Sequence, residues 1–319
     1  MPHVLVAGKL HPSGLELLAS AQGLTFDHVE EISEASYLPL LPRADALVIR
    51  TQRLGAEAIA SAGALRVVSR HGVGYDAVDV AALTARGIPL CIVGDVNSHG
   101  VAEHAMMLIL AASRRLIASD RAVRQGPWGW RNALQTHEVR GKRLLIVGFG
   151  RIGRLLAGLA RAFGMETWAH DPLIPADAWP DAGVTRAPDL RAALGQVDIV
   201  SLHVPRTGQP VLGAAELALM KPGAVVVNTA RGGLIDEAAL ARALAEGRLG
   251  AAGLEVFEAE PPAADHPLFG LDQVILTPHN AALTAECAER MAIASVQNVI
   301  DFFQGRLDPM LIVNRNDLK

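Results

Sequence analysis

A chain of 319 residues, 50% of them apolar, is long for one hydrophobic core and ample for two domains. The formal net charge of -4 and the absence of an extended basic run argue against nucleic acid or a membrane surface as partner. Only two cysteines occur, Cys91 and Cys287, far apart and without a CxxC pair, so they are expected to be small core residues rather than a disulfide framework or zinc site. Residues 1–9 lack a basic segment followed by an apolar one, and the longest apolar stretch, residues 105–113, is too short to cross a bilayer. The expectation is a cytoplasmic protein.

Short runs of Val, Ile and Leu alternate with helical patterns along the whole chain. Strands are predicted over 4–7, 46–49, 67–69 and 90–93, with helices over 14–21, 56–62 and 77–85. The rhythm repeats in strands over 144–147, 167–170, 199–203, 225–228, 251–254 and 274–276. Such alternation predicts an α/β protein with parallel, doubly wound sheets. The helix predicted over 101–116 is apolar on nearly every face, so it is expected to be buried on all sides, between domains or in a subunit interface. A long final helix over 285–303 is expected to carry the chain back to the first domain. The predicted division is therefore 1–98 plus 286–319 for one domain and 99–285 for the other. Trp128 and Trp130, beside Pro127, predict a loop anchored by packing.

The strongest local signal is the strand Leu144-Leu145-Ile146-Val147 running into Gly148-Phe149-Gly150-Arg151-Ile152-Gly153, where an amphipathic helix opens. In this GxGxxG pattern Gly148 serves a tight turn, Gly150 lets backbone approach a pyrophosphate, and Gly153 lets helix pack on strand. A helix N-terminus there favours negative charge. The next predicted strand ends at Asp171, which can accept hydrogen bonds from ribose hydroxyls and would repel a 2′-phosphate. No basic residue lies nearby until Arg186, so NAD is expected over NADP. This makes 99–285 the nucleotide-binding domain. Three later segments each follow a predicted strand end, where ligands bind in open α/β sheets: Asn228 to Gly233, Glu258 to Pro262, and Thr277 to Asn280. They place Arg231, Glu260 and His279 where they can converge.

Together these blocks resemble the D-isomer-specific 2-hydroxyacid dehydrogenase family. The resemblance spans nearly the whole chain: His71-Gly72-Val73-Gly74-Tyr75-Asp76, Asn97-Ser98 and Val101-Ala102-Glu103-His104, then the glycine motif and Asp171-Pro172. It continues through His203-Val204-Pro205, the Asn228–Glu237 block, Val256-Phe257 with Glu260-Pro261, and Thr277-Pro278-His279. It implies two Rossmann/flavodoxin-like domains with an interdomain cleft, a homodimer formed through the NAD-binding domain, and a substrate-binding first domain. It also implies that His279 exchanges the hydroxyl proton, Glu260 orients the ring and favours imidazolium, and Arg231 grips the substrate carboxylate. Val73 and Gly74 would offer backbone N–H groups to that carboxylate. His203, Val204, Pro205, Thr229, Ala230 and Glu255 would line the cofactor site with Gly148, Gly150, Arg151, Ile152, Gly153 and Asp171.

The chain departs from the family pattern at Glu255, where Asp is usual and meets the nicotinamide carboxamide, and at Arg206, close to where adenine is expected. It also carries His99-Gly100 where small residues are commoner. Glu260 argues against a formate dehydrogenase, which pairs its His with Gln. A competing class is an NAD-sensing binding protein on the same fold, which a turnover assay separates from an enzyme. Neither Glu103, His104 nor His203 has a partner at ligand spacing, so no metal is expected. Arg50 and Arg53 either meet a second anionic group, favouring 3-phosphoglycerate or another phosphorylated acid, or are solvated. Glyoxylate and hydroxypyruvate stay open as the 2-keto acid.

Overall fold

The computed structural model describes residues 1–318. The chain divides into two units: Met1–Asn97 with the chain from Leu283 onward, and Ser98–Ala282.

The first unit holds five parallel strands, β1 (His3–Ala7), β2 (Thr25–Val29), β3 (Ala46–Ile49), β4 (Val67–Arg70) and β5 (Leu90–Cys91). Their order is β2-β1-β3-β4-β5, the flavodoxin-like arrangement, with its crossover reversal between β1 and β3. Successive side chains of a strand face opposite sides, and both sides here are dry. Leu5, Leu47, Ile49 and Val68 meet Tyr37, Leu41, Leu54 and Leu83 on one face. Val4, Val6, Val48 and Val67 meet Leu18 and the final helix Ala285–Phe303, through Ala292, Val296 and Val299, on the other. Thr284 caps that helix by accepting the Cys287 N–H at 3.2 Å. Asn298 ties it to the sheet by donating to the Ile92 carbonyl at 3.1 Å. Cys91 and Cys287 are both buried free thiols.

The second unit has seven parallel strands, β6 (Arg143–Val147), β7 (Glu166–His170), β8 (Thr185–Arg186), β9 (Ile199–Leu202), β10 (Val225–Asn228), β11 (Ala251–Leu254) and β12 (Val274–Leu276). Their order is β12-β11-β10-β9-β6-β7-β8. This is the Rossmann arrangement extended by one strand, with the strand order reversing between β6 and β9. Helices cover both faces, which is why the strands read as continuous apolar runs rather than alternating ones. Among the described residues no helix is long and apolar enough to cross a membrane, and no cluster of three His, Cys, Asp or Glu could hold a metal ion.

The structure corrects several expectations. β2 and β8 did not announce themselves. Both are sheet edges, and β2 (TFDHV) has no fully buried residue, so no apolar run marks it. The helix expected over 77–85 starts only at Val80, because Asp79 caps it by accepting the Ala82 N–H at 2.9 Å. The apolar helix is Ser98–Ser113, not 101–116: Arg115 adopts a left-handed φ of 49°, and a second helix, Leu116–Gln125, follows. Within the single chain one face of it is open, the face that a subunit interface would cover. Ala105, Leu108 and Ile109 are buried against the helix Arg151–Ala162 and strands β10 and β11, whereas Met107 is 43% exposed. The tryptophan loop is not anchored by packing either. The 3-10 segment Trp128–Ala133 has no buried residue, and Trp128 is covered on one side by the Arg131 guanidinium at 5.8 Å.

Candidate active site

In the second unit the loops leaving the carboxyl ends of the strands gather most of the residues singled out by sequence. Gly148 leaves β6 with φ +95°, and a Cβ there would lie 2.6 Å from the His203 carbonyl oxygen, so the β6 and β9 loops touch only because residue 148 is glycine. Gly153 likewise lies where a Cβ would overlap the Gly148 carbonyl, which holds the helix Arg151–Ala162 hard against its strand. A Cβ at Gly150 would meet nothing within 4 Å, leaving the N-terminus of that helix open to an approaching group. Asp171 follows β7. Its Oδ2 accepts the Phe149 N–H at 2.9 Å and its Oδ1 the Leu173 N–H at 3.0 Å. Each oxygen keeps a lone pair for a hydroxyl.

Two buried polar atoms at this edge have no partner among the described residues, His203 Nδ1 and Thr229 Oγ1. Burial pushes the His203 ring down to about 4, so it is neutral at physiological pH. Ser201 Oγ meets its Nε2 at 2.8 Å. Buried unpaired polar atoms are costly unless a ligand or water satisfies them. The open glycine turn, the helix N-terminus, the available Asp171 oxygens and these two orphans fit a dinucleotide laid across the β6–β9 reversal.

The three charged residues follow adjacent strands, Arg231 after β10, Glu260 after β11 and His279 after β12. The Asn228 side chain shapes the first loop. Its Oδ1 accepts the Ala230 N–H at 3.0 Å and its Nδ2 donates to the Arg231 carbonyl at 2.8 Å. A Cβ at Gly232 would overlap the Phe257 carbonyl, so glycine lets the Arg231 loop lie directly on the loop that carries Glu260. The Arg231 guanidinium donates to the Ala230 carbonyl at 2.7 Å. His279 Nδ1 donates to Glu260 Oε2 at 2.7 Å, and the other carboxylate oxygen accepts the Phe257 N–H at 3.0 Å. Burial raises the Glu260 carboxyl, but the His279 and Phe257 hydrogen bonds and the His279 charge outweigh it and hold the group below the ordinary carboxylate range. With Nδ1 committed, Nε2 is the ring nitrogen left for proton transfer.

Supporting residues escaped sequence reasoning. Glu237 Oε1 accepts the Glu258 N–H at 2.6 Å while its Oε2 meets His266 Nε2 at 2.9 Å, which anchors the Glu260 loop from below. His104 Nε2 lies 2.9 Å from Thr277 Oγ1 and 3.2 Å from Glu255 Oε2. Glu255 is 1% exposed, and its carboxylate also accepts the Thr277 hydroxyl and the Ala281 N–H. The only signal in sequence was that Glu255 is longer than the usual Asp.

In the first unit, Arg50 leaves β3 and donates to the Lys9 carbonyl at 3.1 Å, while Val73 and Gly74 lie in the half-buried loop after β4. Beside Arg50 stands His71, 5% exposed, whose Nε2 has no partner among the described residues. Burial first, then the Arg50 and Arg70 charges, push its ring down to about 4. Arg53 is exposed and lends its carbonyl to the Tyr37 hydroxyl.

This fold, with its glycine turn, acidic strand end and His–Glu pair, defines the class. The chain belongs to the D-isomer-specific 2-hydroxyacid dehydrogenase family. Residues 106–281 match the family model described as D-isomer specific 2-hydroxyacid dehydrogenase, NAD binding domain. The chain is 40% identical over 302 residues to D-3-phosphoglycerate dehydrogenase of Mycobacterium tuberculosis, covering 94% of this chain and 56% of that protein. It thus spans little more than half the length of that relative. It is 37% identical to glyoxylate reductase of Aeropyrum pernix, covering 100% of this chain and 97% of the relative. Among solved structures, it superposes with a TM-score of 0.87 and 30% identity on the NADPH-dependent glyoxylate/hydroxypyruvate reductase of Sinorhizobium meliloti in complex with NADP and malonate. That match covers 100% of this chain and 98% of the other.

Proposed function

We propose that the protein is an NAD-dependent oxidoreductase acting at C2 of a small D-2-hydroxy acid or the matching 2-keto acid. The observation that carries this reading is the 2.7 Å bond from His279 Nδ1 to Glu260, in the same unit as the glycine turn and with the Glu260 loop packed against the Arg231 loop at Gly232. Bound nicotinamide supplies or takes up the hydride. The chain's own residues do the rest. In oxidation, His279 Nε2 removes the hydroxyl proton and Glu260 stabilises the imidazolium that forms. In reduction the same nitrogen returns the proton to the developing alkoxide. Arg231 binds the substrate carboxylate, for which its planar fork is suited, and polarises the carbonyl.

Val73 and Gly74 offer backbone N–H groups to the carboxylate, and Arg50 meets a second anionic group where the substrate has one. Gly148, Gly150, Arg151, Ile152 and Gly153 cradle the pyrophosphate, and Asp171 takes the ribose hydroxyls. His203, Val204, Pro205, Thr229 and Ala230 line the remainder of the cofactor site. A homodimer forms through the NAD-binding unit, supported by an apolar groove of about 450 Å³ lined by Met106, Met107, Leu110, Leu116, Leu159 and Phe163. The working compartment is the cytoplasm.

The test is a panel of 2-keto acids, including glyoxylate, hydroxypyruvate and 3-phosphohydroxypyruvate, assayed with NADH and with NADPH. Turnover of at least one with NADH is expected. NADH binding without turnover of any would move the reading to an NAD-sensing binding protein.

A further inference from the structure

We propose that Glu255 is a positioning residue that fixes the turn carrying His279, rather than a contact to the nicotinamide group. The proposal rests on the catalytic reading of His279 above. His279 is a non-glycine residue in the left-handed region, with φ 51°. Such a conformation persists only where the surroundings over-determine it. Here residue 255 contacts the turn through both its backbone and its side chain. Its carbonyl accepts the His279 N–H at 3.0 Å, a proton shared with the Thr277 carbonyl at 3.1 Å. Its own N–H is held by the Asn228 carbonyl at 3.0 Å, so the support is itself locked to strand β10.

The side chain grips the same turn at both flanks. One carboxylate oxygen accepts the Thr277 hydroxyl before His279, and the other accepts the Ala281 N–H after it. His104 closes the far side, 3.2 Å from the carboxylate. With 1% exposure and donors on both oxygens, the group is sealed and occupied by the protein itself. Burial raises its carboxyl, but His104, Thr277 and Ala281 outweigh burial and hold it below the ordinary range, so it is the charged form that grips the turn. An aspartate is one methylene shorter and from this backbone position would hold its carboxylate farther from both flanks. The longer residue is what the clamp requires.

The experiment compares wild type with Glu255→Asp, Glu255→Gln and Thr277→Val. Three quantities are read: hydrogen exchange at the His279 and Ala281 amides, the NADH dissociation constant by fluorescence, and kcat and KM for a 2-keto acid at saturating NADH. In Glu255→Asp, exchange at Ala281 is expected to speed by about tenfold or more as the local clamp opens. There kcat is expected to fall about tenfold or more, with NADH affinity held within about threefold. Glu255→Gln keeps the length and one acceptor, so it retains more kcat than Asp. Thr277→Val removes one donor without touching residue 255 and shifts kcat the same way by less. A weakening of NADH binding by about tenfold, with kcat at saturation and Ala281 protection preserved, would overturn the proposal and return Glu255 to the cofactor. Should wild type turn over no 2-keto acid, the catalytic reading fails separately. Amide exchange then decides: loss of protection in Glu255→Asp supports the clamp, and unchanged protection overturns it.

Discussion

Replacing Glu260 by Gln removes one charge and leaves an oxygen that still accepts from His279 Nδ1, so ring orientation survives while imidazolium loses its counterion. The size of the effect follows from geometry. The pair is short, at 2.7 Å, but open to water, with the His279 side chain 55% exposed and that of Glu260 36% exposed. Exposed ion pairs contribute about 0.2–1 kcal/mol; the short contact puts this one near the top of that range, at about 1 kcal/mol, and solvent screening keeps it from exceeding that. At 1.36 kcal/mol per pH unit, that moves the titration of the pair by about 0.7 unit. The direction is acidward, because the form that loses stabilisation is imidazolium. Carbonyl reduction consumes imidazolium, so its activity in Glu260→Gln falls away at lower pH than in wild type. Alcohol oxidation uses neutral imidazole, so its activity extends to lower pH. Measuring kcat/KM against pH in both directions reads the shift twice. Profiles that drop in height without moving would refute Glu260 as the electrostatic partner of His279. In wild type the His279 and Phe257 hydrogen bonds hold the Glu260 carboxyl below the ordinary value, so the carboxylate that the ring needs is fully charged above the ordinary carboxylate value and is lost only as pH falls through the lowered one.

Asp171→Ala should narrow the preference for NADH over NADPH, since it removes both a ribose acceptor and the charge that repels a 2′-phosphate; an unchanged ratio of kcat/KM values would take Asp171 out of cofactor choice. Arg231→Lys should lose kcat and raise KM together, because a point charge lacks the planar fork. Unchanged kcat/KM in that variant would remove the assignment. Met107→Glu puts a charge into the apolar groove and should shift the oligomer toward monomer in sedimentation without a matching loss of thermal stability. A wild type that sediments as a monomer would contradict the dimer.

What the sequence made legible was whatever physics writes locally. Strands buried on both faces, such as Ala46–Ile49 and Val225–Asn228, are uninterrupted apolar runs. The glycine turn and Asp171 are read from spacing along one strand-turn-helix unit. Edge strands carry no such signal: Thr25–Val29 is interrupted by Thr25, Asp27 and His28, and Thr185–Arg186 is two residues long. The break at Arg114-Arg115 is invisible because arginine is a good helix former; tertiary packing, not propensity, turns the chain there. The candidate catalytic residues are legible singly, at strand ends, whereas their support is not. His104 and Thr277 are 173 positions apart, and nothing in either segment announces the other. Glu237 sits in a helix opening that reads as an ordinary capped turn, yet its carboxylate holds the loop of Glu260.

The central claim is that His279 moves the proton while the glycine turn, elsewhere in the same unit, holds the nucleotide. His279→Ala tests it most directly, assayed for 2-keto acid reduction at saturating NADH with the NADH dissociation constant measured on the same preparation. The expected result is a loss of about 10²–10⁴-fold in kcat with NADH affinity unchanged. A folded variant that turns over at near wild-type rate would contradict it.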